Sequence, residues 1–196
     1  AAARAEGHPL EPMLLAADAV PVKVPVRGDD HDLDLDAIGS ALGPRTRAVI
    51  VNTPNNPTGR IYPPRTLAAL ADLLTGASQR WGRTIWLISD EPYARLVFSD
   101  AEFRSPSEFY PYTLISYSYA KVLLTPGQRI GWLALSPSIP DRAPLRKVIE
   151  RSQISGGWVF PNAVMQYVVG DLEQMSIDLT GLEAKRDRLT GELRAA

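Results

Sequence analysis

Val49-Ile-Val-Asn-Thr-Pro-Asn-Asn-Pro-Thr-Gly59 begins as an apolar strand and ends in a turn built from asparagine, proline and glycine. The run from Val49 to Val51 has no alternating polar face, which marks a strand covered on both sides, as in parallel sheets flanked by helices. Thr84-Ile-Trp-Leu-Ile-Ser-Asp-Glu-Pro-Tyr93 repeats the pattern: an apolar run stops abruptly at two carboxylates and a phenol. A carboxylate at the end of a buried strand is costly unless a cation or hydrogen-bond donors answer it. In open α/β sheets function gathers at such strand exits. Taken singly, each stretch also has a plainer reading, the first as turn chemistry and Asp90 as a helix N-cap.

Outward from these runs, β-rich segments alternate with helical patterns. Strands are expected at Val20 to Val26, Ala48 to Asn52, Thr84 to Ser89, Thr113 to Tyr117 and Ile130 to Leu135. Helices are expected at Asp34 to Leu42, Pro63 to Trp81, Arg142 to Ser155, Asn162 to Leu172, and from Gln174 onward. This order predicts an α/β fold, a three-layer α/β/α arrangement around a mostly parallel mixed sheet. Residues 1–172 read as one part of a large domain, and 173–196 as the start of a long helix leading towards a further domain. Trp86, Trp132 and Trp158 are expected in the core or at an interface. The Asp29 to Asp36 segment reads as a solvated loop and helix start, since it lacks the glycine and terminal glutamate of a calcium loop.

Composition narrows the partners. A net charge of −1 over 196 residues gives no electrostatic case for nucleic acid. Without cysteine, and with His8 and His31 far apart, no thiolate or histidine metal cage is expected. No apolar run approaches the roughly 18 residues a bilayer demands, so a membrane is not an expected partner. The absence of cysteine leaves the compartment open by redox logic, with the cytoplasm as the default expectation. The opening Ala-Ala-Ala-Arg-Ala-Glu-Gly and the closing Gly-Glu-Leu-Arg-Ala-Ala both read as cuts through a longer protein.

A third stretch is the most specific: Ser116-Tyr-Ser-Tyr-Ala-Lys-Val-Leu-Leu-Thr-Pro-Gly-Gln-Arg-Ile-Gly-Trp132. The chain is sparing with lysine, using only Lys23, Lys121, Lys147 and Lys185, yet Lys121 falls between Ala120 and Val122-Leu-Leu. Desolvation there would favour the neutral amine, a carbonyl nucleophile suited to Schiff-base chemistry. The plainer alternative is a lysine whose stem packs while its head reaches water.

Together and in this order, the Asn-Pro-Thr-Gly turn, the Asp-x-x-Tyr strand end and the Ser-x-x-Lys segment followed by Pro-Gly-x-Arg-x-Gly resemble the class I/II aminotransferases, pyridoxal-phosphate enzymes of the aspartate aminotransferase fold. The resemblance runs from about Glu11 to the end and implies an incomplete cofactor-binding large domain. It implies that Lys121 bonds pyridoxal 5′-phosphate as a Schiff base and then moves the substrate proton. It further implies that Asp90 pairs with the ring nitrogen, and that Tyr93 and Asn56 reach the phenolic oxygen. Ser118 and Arg129 are to hold the phosphate, while Gly127 and Gly131 let the backbone turn around it. The catalytic set is then Lys121, Asp90 and Tyr93. Glu91 is expected to face solvent at the strand end rather than to act as a second acid.

The sequence departs from the family at Tyr119-Ala120, where many relatives carry a hydroxyl residue before the lysine. A Gly/Ser-rich phosphate loop, a ring-stacking aromatic residue and an arginine for the substrate carboxylate are not identified, and the resemblance puts them before residue 1 and after residue 196. The implied reaction moves an amino group between an amino acid and a 2-oxo acid, within a homodimer and without a metal. Alternatives are a lyase or decarboxylase on the same fold, an effector-sensing domain of a transcription regulator, or an inert remnant. For the isolated fragment, weak cofactor binding and poor turnover are expected.

Overall fold

The computed structural model describes residues 2–3, 10–98, 101–158, 160–175 and 177–195; the side chains of 2 and 3 are not among the features described. A six-stranded sheet runs in the order β2-β1-β3-β4-β5-β6. Its strands are β1 (Ala2–Ala3), β2 (Lys23–Val24), β3 (Ala48–Asn52), β4 (Trp86–Asp90), β5 (Thr113–Ser118) and β6 (Gly131–Leu135). All pairings are parallel except that of β5 with β6, so the sheet is mixed and mostly parallel, as expected. Helices are α1 (Leu10–Ala16), α2 (Leu35–Ala41), α3 (Pro64–Arg80), α4 (Tyr119–Val122), α5 (Arg142–Ser155), α6 (Ala163–Gln174) and α7 (Thr180–Ala195). The expected break after residue 172 falls inside α6.

The core forms where α3 lies on the sheet. Leu67, Leu70, Ala71 and Leu74 recur at helical spacing and pack with Val49 and Val51 of β3 and with Ile85 and Leu87. Leu70 and Leu74 are fully buried, each such side chain contributing about 1.5–3 kcal/mol relative to exposure. Pro64 opens α3, where a missing N–H costs nothing. The opposite sheet face, with Trp86, Ile88, Leu114 and Ser116, is only partly buried. A smaller cluster of Tyr117, Tyr119 and Ile130 receives Met165, Val169 and Leu172, and so docks α6 at the far edge of the sheet.

Several expectations change. The strand foreseen at Val20 to Val26 shrinks to Lys23–Val24, because Pro21 and Pro25 flank it and neither can donate to a ladder. Of the tryptophans expected in the core or at an interface, Trp158 is exposed and so lies outside the core, and Trp132 is about two-fifths exposed with its ring stacked on Tyr117. In the Asp29 to Asp36 loop, Asp34 caps α2 by accepting from the Ala37 N–H at 2.8 Å, as a helix start should. Asp32, however, is buried and accepts from Thr66 Oγ1 at 2.9 Å and from the Arg60 guanidinium at 3.2 Å. Glu91 is buried as well. Alternation along the chain puts it on the same side as Leu87 and Ser89, facing α3, where the hydroxyls of Ser89 and Ser105 each donate to it at 2.7 Å. Among the described residues no helix is long and apolar enough to cross a membrane, and no acidic or histidine cluster could hold a metal.

Candidate functional site

The carboxyl ends of β3, β4 and β5 stand side by side, with Asn52 in register with Asp90 and Asp90 with Ser116. Paired residues share a sheet face and every second residue returns to it, so Asn52, Asp90, Ser116 and Ser118 project from one side. Glu91 projects from the other, and the two adjacent carboxylates therefore sit in different surroundings. Burial pushes the Glu91 carboxyl above its ordinary range, partly opposed by its two hydroxyl donors.

The residues foreseen for the site come together in pairs. Ser118 and Arg129, with Ile130 and Gly131, line a cleft of about 170 Å³. Ser118 caps α4, its Oγ accepting from the Ala120 N–H at 3.2 Å, which leaves its hydroxyl proton to donate elsewhere. Arg129 holds a left-handed backbone at φ 52°, ψ 47°, and its guanidinium bonds the Pro126 carbonyl at 3.3 Å. Gly131 is required: a Cβ there would lie 2.4 Å from the Tyr117 carbonyl oxygen, where β6 closes on β5. Gly127 meets no such constraint, since a Cβ there would enter open space. Gly131 thus serves the close approach of β6 to β5, a constraint that Gly127 does not share.

Lys121 and Tyr93 form the second pair, the ammonium nitrogen 6.0 Å from the centre of the phenol ring. Lys121 is exposed, contrary to the expectation of poor solvation. In the single turn of α4, successive side chains diverge by about 100°, so Tyr119 and Val122 turn into the core while Lys121 turns out. Asp90 and Asn56 are linked through a residue that the sequence reading passed over. The Asn52 amide donates to Asp90 Oδ2 at 3.2 Å and to the Asp90 carbonyl at 3.0 Å, while its oxygen accepts the Asn56 N–H at 2.8 Å. A signal was available, because Asn52 and Asp90 are the first amide and the first acid to end neighbouring apolar runs.

The turn itself, exposed at Asn56, is held from beneath by buried Asn55, whose Oδ1 accepts from Thr58 Oγ1 at 2.8 Å. It contains two cis bonds, Thr53–Pro54 and Asn56–Pro57. Tyr119, the departure before the lysine, is buried and donates to the Glu173 carboxylate; burial and that acceptor together push its phenol up to about 12. It ties α4 to α6. A larger cavity of about 1240 Å³ lies between β6 and α5, and none of the site residues lines it.

The model of the family described as aminotransferase class I and II matches residues 10–196. The chain belongs to that family. It is similar to a probable aspartate/prephenate aminotransferase of Thermus aquaticus, 33% identical over 178 residues that cover 90% of this chain and 44% of the relative. A probable N-succinyldiaminopimelate aminotransferase of Mycobacterium tuberculosis is 33% identical over 187 residues, covering 93% and 45%. Among solved structures, an aminotransferase from Eubacterium rectale superposes with a TM-score of 0.89 at 32% identity, over 93% of this chain and 46% of that one. The N-succinyldiaminopimelate aminotransferase of Mycobacterium tuberculosis superposes with a TM-score of 0.79 at 30% identity, over 94% and 47%. The chain thus spans just under half the length of the relatives it matches.

Class I/II aminotransferases use pyridoxal 5′-phosphate, and the donor set here fits such a group. A guanidinium and a hydroxyl sharing one cleft suit a phosphate dianion. An amine one turn beyond that hydroxyl suits an aldehyde, and a carboxylate on the same sheet face suits a protonated ring nitrogen.

Proposed function

We propose that the full-length protein is a pyridoxal-phosphate-dependent transaminase that moves an amino group between an amino acid and a 2-oxo acid. The observation that carries this reading is the alignment of Asp90 and Ser116 at adjacent strand ends, with Ser118 on the same face and Lys121 in the turn that follows. When bound, the cofactor supplies an electron-withdrawing ring that accepts the charge left at the substrate Cα.

The chain's own residues do the rest. Lys121 would hold the cofactor through its aldehyde, and its side-chain amine, once released by substrate, would carry a proton to and from the substrate Cα. Asp90 keeps the ring nitrogen protonated by opposing its charge. Tyr93 and Asn56 donate to the phenolic oxygen, and Ser118 and Arg129 bind the phosphate. Trp158, Phe160 and Tyr167, all at least three-quarters exposed, supply an apolar surface for a second copy in a homodimer. Sedimentation that finds a fully active monomer would contradict the dimer.

Relatives named for aspartate, prephenate and N-succinyldiaminopimelate act on molecules with more than one carboxylate, so acidic donors head the screen. The test is an amine-donor screen of the full-length protein, following oxo-acid formation. Oxo acid with an aminated acceptor supports transamination. Release of carbon dioxide or of a side-chain fragment assigns the same residues to a decarboxylase or lyase instead.

A further inference from the structure

The buried side chain of Asn52 touches both ends of the proposed ring contacts. Its amide N–H group bonds the Asp90 carboxylate at 3.2 Å, and its amide oxygen bonds the Asn56 N–H at 2.8 Å. The second amide bond, to the Asp90 carbonyl at 3.0 Å, fixes the plane of the Asn52 side chain against β4. A side-chain amide has a donor end and an acceptor end that cannot exchange places without breaking every one of these bonds. Asn52 lies in a parallel register opposite Asp90, so the link is set by the sheet itself rather than by a loop.

We infer that Asn52 is a positioning residue that orients the Asp90 carboxylate and the Asn56 turn as one unit, an inference that rests on the cofactor reading above. A donor on the Asp90 carboxylate restricts its rotation and so sets the direction it presents to the ring nitrogen. It also stabilises the ionised acid, which is the form that keeps that nitrogen protonated. The acceptor end fixes the depth of the Asn56 turn relative to the same carboxylate. One residue thereby couples the charge at the ring nitrogen to the hydrogen bonding at the phenolic oxygen.

The test uses the full-length protein loaded with pyridoxal 5′-phosphate and compares the wild type with Asn52→Leu, Asn52→Ser, Asp90→Asn and Lys121→Ala. The readout is the pH midpoint of the bound cofactor's absorbance change, with kcat and KM measured alongside. A ring nitrogen that holds its proton less firmly withdraws less charge, so the bond to Lys121 keeps its own proton to higher pH. Both Asn52 variants are therefore expected to raise the midpoint by about one unit, the size of one hydrogen bond to a charged group. They should also lower kcat about tenfold with KM little changed. Asn52→Ser, small and polar, keeps the comparison open if the leucine variant does not fold.

If Asp90→Asn raises the midpoint and neither Asn52 variant does, the inference is overturned while the cofactor reading stands. If wild type and Lys121→Ala take up cofactor alike and borohydride fixes none of it to Lys121, the reading itself falls, and the inference with it.

Discussion

The Lys121 ammonium nitrogen stands 6.0 Å from the centre of the Tyr93 ring, which joins the turn after β5 to the turn after β4. At that distance the ring face attracts the cation weakly, by about 0.5–1 kcal/mol at an exposed site. The contact needs the ring and not the hydroxyl. Tyr93→Phe should therefore leave the lysine in place while removing one neutral hydrogen bond to the cofactor, weakening cofactor affinity about fivefold. Equilibrium dialysis of the full-length protein checks this. A loss of a hundredfold or more would mean that the phenol has a larger part than a single hydrogen bond.

Gly131→Ala should disrupt both fold and cleft. The added methyl would sit 2.4 Å from the Tyr117 carbonyl, a backbone atom that cannot step aside without opening the β5–β6 ladder. Overpacking of this kind costs about 1–3 kcal/mol. The thermal midpoint should drop accordingly, and Ser118 and Arg129, which flank the same cleft, should bind phosphate less well. Gly127→Ala, with open space around its Cβ, serves as the control and should leave both measurements near wild type.

The strands that carry the site could be read because each is an apolar run closed by a polar residue. Ala48 to Asn52 matches β3 at both ends, and β4 and β5 each extend one residue past the expected end. What escaped reading depends on contacts distant in sequence. Ala2–Ala3 carries no strand signal of its own and becomes β1 only by pairing between β2 and β3. Asn52 looks like the first residue of a turn until parallel register sets it against Asp90. The exposure of Lys121 follows from the phase of a single helical turn, which an apolar neighbourhood in sequence does not encode. Glu91 was expected at the solvent because it ends an apolar run, whereas alternation along the strand turns it to the face opposite Asp90, where it is buried against Ser89 and Ser105.

Asp32 should prove to be a structural keystone for the Asn-Pro-Thr-Gly turn. Buried and held by Thr66, Arg60 and, at 3.5 Å, Arg27, it links the Asp-rich loop to the residue that follows Gly59. Asp32→Ala would leave the Arg60 guanidinium partly buried without its closest acid, and breaking a buried pair from one side costs about 3–5 kcal/mol. Chemical denaturation of the full-length protein should register that loss. A change below about 1 kcal/mol would place the pair among surface ion pairs that contribute little.

Glu91 gives a pH dependence whose sign can be worked out. Its carboxyl is pushed up chiefly by burial, with Asp90 and Glu108 adding repulsion and with Ser89 and Ser105 opposing the shift. The folded protein therefore binds this proton more tightly than the unfolded chain does. Its favourable contribution is complete below the ordinary glutamate value near 4.5 and is lost as pH climbs through the raised folded value. Glu91→Gln keeps the shape and can still accept from both hydroxyls, but carries no charge to desolvate. The stability of wild type relative to Glu91→Gln should accordingly fall as pH rises from about 4.5 to 8, as followed by thermal denaturation across a pH series. A difference that stays constant over the series would mean that Glu91 titrates as it does in water, and that its two serine donors fully offset its burial.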